Sequence, residues 1–239
     1  MSKLQNQLPR TDLVEIKKGK TGTGLLIEED GYISINETAH NRQLKESIDE
    51  NGMHCPIPFI VDAVFQKFDI KNANGRIYPE KVLKRQVQLY QQKIEEHRAY
   101  GELNHPTEST IDLGRVSHNI TELHWEGHTL VGKMELHITP GYAKYGIVST
   151  MGDMAANELL SGYKIGVSSR GVGSVEEKFG QYIVGDDFDL ICWDIVSDPS
   201  TPGAYIGNKE NLQQYVESKE IKQSPIIEKV NKIKDLLNA

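Results

Sequence analysis

The sequence predicts an α+β domain that is rich in antiparallel strand and carries a few helices, and three observations point there. Apolar, β-branched runs of strand length recur through the middle of the chain, as in IPFIVDAVFQKFD and DLICWDIV. Two such runs flank a short turn at Glu126-Gly127, the pattern of a hairpin. Helical spacing of apolar residues is confined to a few separate segments. These signals fall between residues 55 and 207, so the expected organisation is a polar N-terminal extension or propeptide (1–54), one domain (55–207) and a C-terminal tail with an amphipathic helix (208–239).

Residues 1–54 are polar and mixed. Their GKTGTG lacks the order of a phosphate-binding loop and a strong preceding strand, so it reads as a hinge or flexible turn. IPFIVDAVFQKFD reads as the first core strand. Asn72 to Gly75 give a turn signal, Pro79 suits the first turn of a helix, and Val82, Val87, Leu89, Tyr90 and Ile94 form a helical stripe as far as His97. The hairpin follows, with Val116, Ile120, Leu123 and Trp125 before its turn and Leu130, Val131, Met134, Leu136 and Ile138 after it. YGIVSTMGDMAANELLSGY reads as a second helix that stops near Gly162. KIGVSSRGVG then reads as a strand entering a glycine-bounded turn, and two or three more strands follow up to Ser200. Near the C-terminus, Ile226, Ile227, Val230, Ile233, Leu236 and Leu237 share one side of a helix.

Composition excludes several classes of function. Of 239 residues, 38% are hydrophobic, which fits a real core diluted by polar ends. The net charge of −7 is no match for nucleic acid. No apolar run is long enough to span a bilayer, and MSKLQNQLPRTD lacks the apolar stretch of a signal peptide. The two cysteines, Cys55 and Cys192, are far apart and lack metal-ligand spacing. The expectation is a soluble protein of a reducing compartment, with no cofactor. His118, His124, His128 and His137 cluster around the hairpin without the compact spacing of a metal site.

One stretch suggests chemistry. Burying a core does not require Ser168, Ser169 and Arg170 between glycines, but a nucleophile on a sharp turn with unpaired backbone amides beside it would. A glycine bulge with solvated serines is the plainer alternative. A serine hydroxyl is inert at neutral pH without a base. His105 in GELNHPTEST is the candidate: Pro106 restricts its backbone, and Gly101 and Asn104 argue against a helix. A third group should orient the imidazole. Asp194 lies inside an apolar strand, where a carboxylate is costly unless paired, and Asp112 and His118 compete with it for that role.

GELNHP, SHNI, GVSSRGVG and DIVSDPSTPGA, in that order and with NANGRIYP upstream, resemble the prohead (capsid-maturation) protease family of tailed bacteriophages, T-even type, over roughly residues 57–206. The resemblance implies a serine endopeptidase with the herpesvirus assembly protease fold, a small antiparallel β-barrel surrounded by helices. It implies Ser168 as nucleophile and His105 as general base, with Ser169, Arg170 and Gly171 in the oxyanion-stabilising stretch. Arg170 could instead position a loop or a water. The herpesvirus relatives carry a histidine as third member where this chain offers Asp194. Implied substrates are phage scaffold or core proteins, the major capsid protein and the enzyme itself, cut inside the immature capsid in the host cytoplasm. Self-association is left open.

The T-even type favours cleavage after a glutamate with Leu or Ile two positions earlier. The ends of this chain contain Leu13-Val14-Glu15, Leu26-Ile27-Glu28, Leu44-Lys45-Glu46 and Ile226-Ile227-Glu228. Residues 1–54 are then a propeptide, a plug over the site or a handle for the scaffold. The competing class is a structural capsid-core or tube-like protein that keeps the barrel without cutting. The presence of His105 and Ser168 favours catalysis. A small-molecule esterase would need a G-x-S-x-G elbow, and the chain reads G-V-S-S-R-G.

Overall fold

The computed structural model describes residues 14–28, 53–204 and 206. Nine strands and three helices follow in the order β1 (Gly22–Ile27), β2 (Phe59–Lys67), β3 (Arg76–Ile77), α1 (Glu80–Glu95), β4 (Tyr100–Glu102), β5 (Val116–Glu126), β6 (Thr129–Leu136), α2 (Pro140–Tyr145), α3 (Met151–Ser161), β7 (Gly166–Lys178), β8 (Gln181–Val184) and β9 (Asp189–Val196). The predicted C-terminal helix lies outside the described residues.

The strands form two sheets. In one, β1, β7, β8 and β3 lie side by side and β9 also pairs with β7; in the other the order is β2-β6-β5-β4. All named pairings are antiparallel except β3 with β8. Neither sheet closes on itself among the described residues, and the architecture they show is α+β: two strand-rich sheets with helices. The sheets meet where Leu103, just past β4, bridges Ile195 of β9. Gly101 permits this approach: a Cβ there would strike the Trp193 carbonyl and the His118 ring.

The main core lies between the sheets and α1. Trp193 stacks edge-on against Phe65 and Tyr90 at centroid distances of 5.6 and 5.0 Å. Helix α1 buries Val82, Leu83, Gln86, Val87 and Tyr90. The Gln86 amide takes over two backbone groups at the start of β9, donating to the Phe188 carbonyl at 2.5 Å and accepting from the Leu190 N–H at 3.0 Å.

Three local expectations change. First, GTGLLI, read as part of a hinge and its polar extension, is an edge strand of the five-stranded sheet. It is short and glycine-rich, but its ladder with Arg170–Val175 and the burial of Leu25 and Leu26 hold it there. Burying each leucine contributes about 2 kcal/mol. Second, the helix expected from residue 145 begins only at Met151. Thr150 and Asp153 form a reciprocal capping box that starts α3, and Gly162 ends it at φ 91°. The short α2 was not foreseen. Third, GVSSRGVG is no turn. It forms the first part of the 13-residue β7, and Gly171 and Gly173 are needed for packing: Phe188 occupies the space their Cβ atoms would fill.

Candidate active site

Strand β7 places two neighbouring serines on opposite faces of the sheet. Ser168 stands across from Asp194 on β9, Ser169 across from Trp193, and Arg170 across from Cys192. Side chains alternate along a strand, so Ser168, Arg170, Cys192 and Asp194 share one face. The loop after β4 delivers His105 to that face. The Asn104 N–H donates to the Ile195 carbonyl at 2.8 Å, and Asn104 takes φ 62°, a left-handed conformation that asparagine tolerates.

His105 Nδ1 lies 2.7 Å from Asp194 Oδ2. Its Nε2 is buried and has no partner among the described residues. Asp194 is fully buried and is held on every side. The Glu102 N–H donates to its Oδ1 at 2.9 Å, Arg170 Nε lies 2.9 Å from Oδ2, and the Cys192 thiol is 3.2 Å from Oδ1. Burial alone would raise its carboxyl pKa. The bond to His105, the charges of His105 and Arg170 and the Glu102 amide outweigh that and hold it below the ordinary aspartate value. The carboxylate is therefore ionised at neutral pH and fixes the imidazole with Nε2 facing away.

Arg170 carries the rest of the network. It is buried, pairs with Glu102 Oε1 at 3.1 Å and with Asp194, and donates to the Glu108 carbonyl at 2.8 Å. Burial works against its charge, but Cys192, Asp194 and Glu102 hold its pKa above the ordinary arginine value. Its side chain thus ties the loop after His105 to β7. The backbone of Arg170 and Gly171 lies in a ladder, with β1 on one side and β9 on the other. The amides expected to be free of ladder partners are therefore flanked by strands.

Of the three candidates for the orienting group, the structure brings Asp194 to His105. Asp112 is exposed and accepts from the Gly114 N–H at 2.9 Å. His118 is buried with Nδ1 2.9 Å from Ser117 Oγ and Nε2 3.2 Å from the Trp193 carbonyl. Burial first, and His137 after it, lower the His118 pKa to about 4 against the pull of Asp194. The other hairpin histidines lie elsewhere: His124 sits between Glu122 and Glu126, and His128 stacks on Phe68.

Sequence reasoning missed Glu102, Cys192 and a second cluster. Glu102 stood inside GELNHP, and its burial in a strand could have marked it. The second cluster surrounds Glu28, which is buried at the end of β1. Its Oε1 accepts from Arg76 at 2.8 Å and Tyr78 at 2.6 Å; its Oε2 accepts from Asn72 and Asn74, each at 2.7 Å, and from Ser200 at 3.1 Å. Tyr78 is also hydrogen-bonded to Ser169. The Ser168 hydroxyl donates to the backbone carbonyl of Glu28 in a short contact.

An imidazole that a buried carboxylate holds through Nδ1, with Nε2 left open, on the sheet face of a strand-borne serine, is the equipment of a hydrolase. Comparison with known proteins narrows the class. Residues 25–219 match the family model described as prohead core protein serine protease, and the chain belongs to that family. It is 30% identical over 168 residues to the prohead core protein protease of Enterobacteria phage T4, covering 69% of this chain and 76% of that protein. The solved structure of the bacteriophage T4 capsid assembly protease is similar too, with a TM-score of 0.55 and 26% identity, covering 73% of this chain and 98% of that one.

Proposed function

We propose that the chain is a serine endopeptidase that processes core or scaffold proteins and the capsid protein inside the immature phage head, within the host cell. One observation carries the catalytic part: Asp194 holds His105 at 2.7 Å and leaves its buried Nε2 unpartnered, on the face that Ser168 shares with Asp194. Family membership supports the choice of substrates. The likeness to the herpesvirus assembly protease barrel belongs to the same reading.

His105 Nε2 takes the Ser168 proton as Oγ attacks a peptide carbonyl, and Asp194 stabilises the imidazolium that forms. Backbone amides of Ser169, Arg170 and Gly171 that point toward the β1 side meet the oxyanion. His105 then protonates the departing amine, and water releases the acyl group. Arg170 is a positioning residue, because it reaches His105 only through Asp194 and the Glu108 carbonyl.

The test is intact-mass spectrometry of the wild type, Ser168→Ala and His105→Ala, each incubated with the cognate core protein. Discrete cuts made by the wild type and absent from both variants support the reading. Cuts that persist with Ser168→Ala would assign the nucleophile elsewhere. A folded wild type that binds core protein and cuts nothing would make the protein structural.

A further inference from the structure

Glu102 lies at the end of β4, fully buried, and no step of the proposed reaction uses it. Its backbone N–H donates to Asp194 Oδ1 at 2.9 Å, so the strand itself aims that carboxylate. Its side chain serves two arginines. Oε1 accepts from Arg170 Nη2 at 3.1 Å and from the Asp112 N–H at 2.8 Å, and Oε2 accepts from Arg115 Nε at 3.2 Å. Asp112 and Arg115 close the loop that carries His105 from β4 to β5, so one carboxylate joins the far end of that loop to the strand at its start. Arg170 gives this carboxylate an electrostatic role. Its Nε lies 2.9 Å from Asp194 Oδ2, the same oxygen that His105 Nδ1 approaches at 2.7 Å, and its Nη2 donates to Asp194 Oδ1 at 3.3 Å. A guanidinium there competes with the imidazolium for Asp194, and unopposed it would neutralise the charge that makes His105 a base.

We propose that Glu102 is a positioning residue of the catalytic site: it draws the charge of Arg170 away from Asp194 and so keeps Asp194 available to the His105 imidazolium. This deepens the proposed function and rests on it. The other titratable groups around the pair leave the balance to these residues. On β9 and α1, burial pushes the Cys192 thiol and the Tyr90 hydroxyl well up, so both are neutral at pH 7. On β5, burial pushes His118 down to about 4, so it is neutral too. Glu28 is paired with Arg76, and Glu108, on the His105 loop, is exposed and screened by solvent. Two buried carboxylates and one buried guanidinium therefore leave one net negative charge facing the imidazole. Neutralising Glu102 leaves none, and neutralising Arg170 leaves two. A buried ion pair is weak evidence of stabilisation, since apolar side chains of similar volume serve as well. What gives this pair a use is its placement on the oxygen that holds His105.

The experiment measures two rates across pH in the full-length wild type, Glu102→Gln, Arg170→Met and the double variant: kcat/KM on cognate core protein, and labelling of Ser168 by a fluorophosphonate probe. The acid limb of each profile reports the general base of the free enzyme. Glu102→Gln should move that limb down by about half to one pH unit, because Asp194 then shares its charge with an unopposed cation, and should lower the plateau about three- to tenfold. Arg170→Met should move the limb up, because two carboxylates then face the imidazolium. The double variant restores one net negative charge, so its limb should return to within about 0.3 unit of the wild type, and it should unfold at a higher urea concentration than Arg170→Met. Where Glu102→Gln does not fold, the double variant against Arg170→Met tests the same balance. A limb that stays in place in Glu102→Gln would make Glu102 structural and overturn this inference. So would a double variant whose limb lies at or beyond that of Arg170→Met. Either result leaves the protease reading standing while the wild type labels and cuts. Wild type that neither labels at Ser168 nor cuts core protein would remove the protease reading and this inference with it.

Discussion

Replacing Arg170 with methionine would expose how the site is held. The side chains are similar in size, so the change is mainly the loss of charge and hydrogen bonds. Arg170, Glu102 and Asp194 are each 0% exposed, so the variant leaves two carboxylates buried without their shared cation. Arg115, 3.2 Å from Glu102, and His105, 2.7 Å from Asp194, compensate in part. Breaking a buried pair by removing one partner costs about 3–5 kcal/mol, and with partial compensation the lower end is expected. Urea unfolding at pH 7 should therefore move to a midpoint lower by about 1–2 M.

The pH dependence separates this from a packing defect. Arg170 is one of the charges that hold the Asp194 pKa down, so the variant's folded form binds a proton at higher pH than the wild type does. The wild type's advantage is therefore complete above both folded-state pKa values and is lost as pH falls through them. The deficit should be full at pH 7 and shrink as pH falls toward 4. Arg170→Lys should recover only part of it, because an ammonium cannot serve Glu102, Asp194 and the Glu108 carbonyl together. A deficit equal at both pH values, or no deficit at all, would refute the electrostatic account.

Asp194→Asn should lower kcat by about two to four orders of magnitude on a core-protein peptide with little change in KM, since the amide neither fixes the same tautomer nor stabilises an imidazolium. A change confined to KM would assign Asp194 to substrate binding. His118, with its pKa lowered to about 4 by burial, should make the fold acid-sensitive. The unfolded imidazole takes a proton below about pH 6.5 and the folded one only near 4, so this contribution is complete above pH 6.5 and is lost as pH falls, by up to about 3 kcal/mol. His118→Asn should flatten the fall in urea midpoint between pH 7 and 4.5; an unchanged slope would place the acid sensitivity elsewhere.

The sequence made some of these residues legible through cost. A carboxylate between Trp193 and Ile195 demanded a partner, and the structure supplies His105, Glu102 and Arg170. The helical stripe of α1, apart from Leu89, which faces outward, and the hairpin of β5 and β6 were legible because their patterns are local and periodic. The glycines around Ser168 misled, since their reason is packing against distant residues and not a turn: Gly171 and Gly173 face Phe188, and Gly166 faces Pro199 and the Ala204 carbonyl. Strand β1 was illegible for a related reason: its ladder partner lies about 145 residues away. The Glu28 pocket draws on positions up to 172 residues apart, and none of them forms a pattern with its neighbours.

The paired serines couple these two halves of the site. Ser168 stands across from Asp194 on the face that His105 reaches, and Ser169, on the other face, is hydrogen-bonded to Tyr78, a donor to Glu28. A one-residue step along a strand reverses the side chain but moves the backbone only about 3.3 Å. A rigid strand with ladders on both edges therefore sets the distance between the Ser168 hydroxyl and the buried cluster around Glu28. A turn at this point, which the glycines suggested, would have let the two drift apart. A fixed separation of this kind is what preorganised catalysis requires.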